Sequence, residues 1–423
     1  MNMTPSPFPA DSKRGGPLRV RMRGRSIDEP HRASTQLELL FDLTFVVAVA
    51  GIVARLGHAV GEGHPASSVV PFLQVFFAIW WAWMNFTWFA SSYDTDDIPY
   101  RLLTLLQMVG VLVLAAGVPA AFEHDNYTAI TVGYLVMRSC LVAQWLRAAR
   151  EDPPGRRTAG RYAAGIAALE VLWLARLVLA ELGALPGAAS RLVFVALVAL
   201  ELAVPVWAER ERGTAWHPHH IAERYTLFTI ILLGESVLAV STGVADALDG
   251  GFRLSLVVVA LSGLVLLFAL WWLYELQPGG DGLAERRTRS FLWGYGHYAI
   301  FASLAALGAG LEVAVRNSDN RGGSPLVAGY AVAIPAAVFL VLLWAAHAGL
   351  ALTSRIRPRV LFTTAAAVLV APVATVEIPN STVAAIALAA TAALALSLRG
   401  GIPLGRDDTR DTDPADGDPD PET

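Results

Sequence analysis

One cysteine, one lysine and few charges of any kind mark this chain of 423 residues. A lone Cys140 excludes a disulfide within the chain and argues against dithiol or zinc–cysteine chemistry. Charged residues make up 16% of the sequence, against about 25% in an average soluble domain. No phosphate-cradling loop, nucleophile–base pair or firm metal-ligand spacing is present, so the sequence leans away from an enzyme and implies no cofactor. The net charge of −4 names no partner, because charges in a lipid-embedded chain act by side and depth, and nothing points to nucleic acid.

What is abundant is apolar. Hydrophobic residues reach 55% and mean hydropathy is +0.49, the composition of an integral membrane protein whose partners include membrane lipids. At roughly 20 apolar residues per spanning helix, the chain predicts an all-α polytopic bundle of about twelve spans. They fall near residues 39–57, 69–90, 101–121, 127–148, 160–181, 189–208, 221–242, 254–276, 290–311, 325–348, 359–378 and 380–398. Four regions follow: a disordered basic tail over 1–35, a first half of six helices over 36–210, a second over 211–400, and a disordered acidic tail over 401–423.

Arginines set the orientation, because basic residues collect on the cytoplasmic side. Apart from Arg138 and Arg176, which fall well within spans, the odd-numbered connections and the span ends beside them hold Arg55, Arg191, Arg253, Arg316 and Arg321, whereas the tails and the even-numbered connections with their span ends hold the remainder. Both termini are therefore expected in the cytoplasm. Echoes between the halves, Trp80-Trp81 with Trp271-Trp272 and Gly133-Tyr134 with Gly329-Tyr330, suggest tandem repeats of like orientation.

Ionisable groups inside such segments are costly and mark candidate function. Glu38 and Asp42 lie one turn apart at the head of the first span, on one helix face, where like charges need a proton, a cation or an arginine between them. After the second span the chain reads Tyr93-Asp-Thr-Asp-Asp97-Ile-Pro-Tyr-Arg101. The plain account is a turn whose aspartate caps the third helix near Pro99; Asp94, Asp96 and Asp97 together with Arg101 suggest a cation-attracting mouth.

The seventh span carries Glu223 and Arg224 near its start and Glu235 twelve residues farther in, about 18 Å deeper along a helix. Its plain alternative is a structural pair of Glu235 with Arg138 or Arg176. His297 is a candidate proton-titrating group, and Tyr274 ends the eighth span near the same depth. His217, His219 and His220 with Glu223 match no established metal-ligand spacing, and whether a metal binds is left unknown. Arg138, Glu170 and Arg176 are expected as mutual counter-ions, and Trp80 and Trp81 as packing residues. Of the eleven candidate site residues, all except the deeper Glu235 are expected to converge on one polar cavity facing the cytoplasm.

At these residues the chain resembles the bacterial low temperature requirement A family. The matching stretches are Glu38-Leu-Leu-Phe41-Asp42-Leu-Thr-Phe45-Val, Tyr93 to Asp97 with Arg101, His220-x-x-Glu223-Arg224 through Phe228 to Gly234-Glu235-Ser, Trp271-Trp272-x-Tyr274, and His297. Leu40 and Glu275 depart from it where the family more often has phenylalanine. The resemblance implies a multi-pass inner-membrane protein, named for a cold-growth phenotype, without an established activity.

Three function classes fit. A secondary transporter or permease for an unknown small solute or ion leads, with Glu235 and His297 titrating, Glu38 and Asp42 holding a cation, and Arg101 and Arg224 organising the carboxylates. A cation channel is the alternative, since Phe41-Asp42 faintly resembles the Phe-Ser-Asp signature of a potassium-channel family. An intramembrane lipid-related enzyme or sensor is the third.

Overall fold

A computed structural model describes residues 18–400, apart from 28, 30, 31, 249–252, 278, 320–323, 351–355 and 379. The fold is all helix; no strand occurs among the described residues. The first half runs α1 (Gln36–Gly61), α2 (Pro65–Tyr93), α3 (Ile98–His124), α4 (Thr128–Glu151), α5 (Arg156–Glu181) and α6 (Gly187–Glu209). The second runs α7 (Pro218–Leu248), α8 (Leu254–Glu275), the short α9 (Gly279–Glu285), α10 (Ser290–Arg316), α11 (Pro325–Ala348), α12 (Pro358–Ala374) and α13 (Thr382–Gly400).

Helices are the answer lipid imposes, because a spanning backbone must satisfy its own N–H and C=O groups. Eleven helices among the described residues are long and apolar enough to cross a membrane. The 17-residue α12 falls short; at 1.5 Å per residue it covers about 25 Å against a hydrocarbon core of about 30 Å. Each of the twelve expected spans is helical, and the penultimate one stops at Ala374 rather than 378.

Side chains are arranged inside out relative to a soluble bundle. Leu102, Leu105, Val109 and Leu112 line the outer face of α3, whereas its inner face buries Thr104 and Gln107, which clasp Gln144 of α4 at 3.3 and 3.1 Å. Close approach here depends on glycine. A Cβ on Gly133 of α4 would come 2.5 Å from the Gly110 carbonyl oxygen of α3.

The packing order of the first half, α1 on α3, α3 on α4, α4 on α5 and α5 on α6, recurs in the second as α7 on α10, α10 on α11, α11 on α12 and α12 on α13. The halves meet through α1, which packs on both α7 and α10. The tryptophan echo does not extend to environment, because Trp80 and Trp81 are buried while Trp271 and Trp272 are exposed on α8.

The basic tail needs correction. Residues 1–17 and 401–423 lie outside the described residues, but from Leu18 the chain is tied across one end of the bundle rather than disordered. Val20 N donates to Asp97 at 2.9 Å, Met22 N to Glu151 at 2.7 Å and Arg25 N to Ser92 O at 3.0 Å. Met22 is buried beneath it. Acidic groups and carbonyls at the helix ends give this strap its partners, which composition alone could not show.

Candidate functional site

The capping chemistry of α1 begins the first cluster. Thr35 caps the helix and Glu38 closes a capping box, its Oε2 accepting from Thr35 N at 2.8 Å. One turn on, Asp42 points the same way. Arg224 of α7 meets both carboxylates: Nε and Nη2 donate to Asp42 at 2.9 and 2.5 Å, and Nη1 lies 3.2 Å from Glu38 Oε1. Trp83 Nε1 adds 2.7 Å to Asp42 and His220 Nε2 lies 3.2 Å from Glu38.

Arg32 of the strap completes the set, 3.7 Å from Glu38. Two carboxylates thus face two guanidiniums in a buried, charge-balanced cluster joining the halves. A cation held between Glu38 and Asp42 would meet a place that arginine already occupies. Unfilled hydrogen-bonding capacity remains at Glu38 Oε1, Arg224 Nη1, His220 Nδ1, Tyr100 Oη, Ser34 Oγ and Arg32 Nε.

The three aspartates after α2 take three separate partners. Asp97 caps α3 through Tyr100 N at 3.1 Å, as its position before Pro99 implies, and pairs with Arg147 at 2.5 Å. Burial opposes its ionisation, but the Arg147 hydrogen bond and the N–H groups of Val20 and Tyr100 outweigh it and hold its pKa down at about 2. Asp96, in the left-handed region at φ 48°, pairs with Arg101 on the exposed surface at 2.7 Å. Asp94 is buried without a close ion pair among the described residues; burial, then the charge of Glu38, pushes its pKa up to about 6.

The remaining candidates lie apart. Glu223 is half-buried and accepts from Ser34 N at 3.3 Å. Tyr274 meets His297 Nε2 at 3.2 Å, and the buried His297 Nδ1 is bonded to Trp293 O at 2.8 Å, with Trp293 Nε1 donating to His347 at 3.3 Å. Glu235 sits deep in α7 with no hydrogen-bond partner for Oε2 and feels the charge of Glu312 on α10. It pairs with neither Arg138 nor Arg176, whose partners are given below. Gly234 beside it faces open space rather than a close helix.

The expected convergence on one tail-end cavity is therefore corrected. Of the eleven residues, Glu38, Asp42 and Arg224 meet directly and Asp94 is coupled to them by charge. Asp96, Asp97, Arg101, Glu223, Glu235, Tyr274 and His297 are satisfied or buried elsewhere, and none of the eleven lines the cavities described below. Arginines pair locally with Glu38, Asp42, Asp96 and Asp97, at three separate places in the bundle. Among the described residues no group of three His, Cys, Asp or Glu side chains is placed to hold a metal ion.

A second cluster lies wholly inside the first half. Arg138 of α4 donates to Glu170 of α5 at 3.0 Å and to Glu201 of α6 at 2.5 Å. Glu201 also accepts from Trp81 at 2.8 Å and Trp173 at 3.1 Å. The Arg138–Glu170 pair follows from the sequence; Glu201 does not, because its flanking Leu-Glu-Leu-Ala run carries no cation within helical reach. With one guanidinium between two buried carboxylates, the cluster would carry a surplus negative charge if both were ionised.

A cavity of about 950 Å³ opens at the end of the bundle opposite the strap, walled by the start of α2, the α3–α4 connection and the α5–α6 connection. Arg176, Gln74, Tyr127 and Ser190 line its floor, with Arg191, Glu123, Asp125 and Glu181 around it. A smaller void of about 40 Å³ continues inward past Arg176 to Tyr134 and Trp173. Those two residues touch the second cluster: Trp173 donates to Glu201, and the Arg138 guanidinium lies 5.3 Å from the Tyr134 ring centre.

Residues 33–396 match the family model described as bacterial low temperature requirement A protein (LtrA). The chain is also 27% identical over 304 residues to an uncharacterized protein of Rhizobium meliloti strain 1021, covering 67% of this chain and 70% of that one.

Proposed function

The chain belongs to the bacterial low temperature requirement A family, and from that premise we propose that it is a proton-coupled secondary transporter of the inner membrane with both termini cytoplasmic. One observation carries the proposal: a wide polar vestibule at one end of the bundle narrows through Arg176 toward the buried Arg138–Glu170–Glu201 cluster. A surplus carboxylate far from water is costly to keep charged, and binding a proton relieves that cost. Solute arriving in the vestibule and a proton arriving at Glu170 or Glu201 thus occupy adjoining places, the arrangement coupled transport requires.

The orientation makes the vestibule extracytoplasmic. Glu235, deep in α7, is the second proton site in this proposal, and the charge-balanced Glu38–Asp42–Arg224 cluster is a lock between the two halves rather than a cation seat. The common packing order of the halves supports treating them as repeats that rock about this lock.

The test is reconstitution of the full chain in vesicles with an internal pH dye and gradients of candidate small solutes. Solute-driven proton movement in the wild type, lost in Glu170→Gln and Glu201→Gln with both variants folded, supports the proposal. Equal signals in all three proteins argue against it. Current without a solute gradient favours a cation channel instead.

A further inference from the structure

We propose that Arg176 anchors a binding site for a small organic carboxylate. Arg176 is buried within α5 and lines both the vestibule and the inner void, yet no carboxylate among the described residues stands within ion-pairing distance of it. Among the described residues its guanidinium makes one hydrogen bond, Nη2 to Ser190 Oγ at 3.1 Å, and buried Nε has no partner. Every other deeply buried guanidinium treated above, Arg32, Arg138 and Arg224, faces at least one carboxylate. A buried cation left without one is costly, and an incoming anion removes that cost.

The surroundings select the kind of anion. Arg176 is the one buried guanidinium of this lining, with Arg191 exposed at the rim, so the inner site matches a single negative charge, and the planar fork suits a carboxylate. The first turn of α6, Gly187 to Ser190, forms part of the same wall, and helix starts favour negative charge. Phe194, Trp173 and Tyr127 stand around the guanidinium with ring centres at 5.5, 5.9 and 6.0 Å. Past them the inner void is lined by Val75, Phe77, Ala78 and Ile130, a seat for a short apolar body and not for a phosphate. Asp125 and Glu181 at the rim add repulsion against multiply charged anions.

The site stands on the vestibule's geometry alone; that its occupant is the transported solute rests on the proposal above. Isothermal titration of the purified full chain in detergent with propionate, chloride and phosphate provides the test. Saturable propionate binding, weakened at least about tenfold in Arg176→Gln and about threefold in Ser190→Ala, is expected for loss of a charged anchor and of its positioning partner. Should Arg176→Gln fail to elute as a folded protein, Ser190→Ala decides. Absent propionate binding, or wild-type affinity in the folded variants, overturns the site. Chloride or phosphate binding as tightly as propionate overturns the carboxylate assignment. Propionate binding that persists where no proton-coupled uptake is found overturns the transport proposal and leaves the site standing.

Discussion

Arg224 of α7 grips Asp42 of α1 with two nitrogens, at 2.9 and 2.5 Å, where neither side chain reaches solvent. Removing one partner of such a pair leaves a naked buried charge, which costs roughly 3–5 kcal/mol. Asp42→Asn and Arg224→Gln are each expected to lower the thermal midpoint sharply in detergent. The double variant should lose clearly less than the two single losses combined. Additive losses would mean that the two residues act independently.

Asp94 gives a pH signature of known sign. Its pKa is raised in the folded state to about 6 by burial and by Glu38, from about 3.9 in an unfolded chain. A raised acidic pKa contributes stability that is complete below the unfolded value and is lost as pH rises through the folded one. Stability should therefore fall between about pH 4 and 6, by on the order of 2–3 kcal/mol. Asp97, held at about 2, acts oppositely: its contribution is present above the unfolded value and lost as pH falls toward 2. Thermal midpoints across pH 4–8 check this, and Asp94→Asn should flatten the decline; a profile identical to wild type would refute the assignment.

How much of this was legible in the sequence depends on the range of each interaction. Helices, the cap by Asp97 before Pro99 and the pairing of Arg138 with Glu170 follow from local pattern or from neighbouring spans. Arg224 pairs with Glu38 and Asp42, whereas Arg101 pairs with exposed Asp96 across the turn before α3. Glu201 and the vestibule were missed because three or more separate chain segments build them, and no spacing in one segment encodes that meeting. The strap was hidden for the same reason, since its partners are backbone groups and carboxylates far along the chain.

Glycine at the α3–α4 crossing offers a contrast within one protein. Gly133→Ala would set a methyl 2.5 Å from the Gly110 oxygen, and backbone must move to admit it, at a cost of about 1–3 kcal/mol or more. Gly160→Ala in α5 meets nothing within 4 Å and should be neutral or slightly stabilising, because alanine favours a helix. Thermal melts of the two variants separate these outcomes. Equal midpoints would show that the crossing is not tightly packed.

The two carboxylates on Arg138 should respond differently to loss of charge. Among the described residues Glu201 accepts from Arg138, Trp81 and Trp173, whereas Glu170 accepts the 3.0 Å bond from Arg138 alone. Replacing Glu201 by Gln weakens three interactions and leaves Arg138 with a single carboxylate; replacing Glu170 by Gln removes the surplus charge while Glu201 still holds the guanidinium. Glu201→Gln is therefore expected to destabilise by roughly 2–4 kcal/mol, the scale of disturbing a buried charged network. Glu170→Gln should cost less than about 1 kcal/mol or even stabilise, because relief of repulsion offsets one weakened bond. Midpoints of thermal unfolding for both variants decide the ranking, and the reverse order would mean that Glu170, not Glu201, is the principal partner of Arg138.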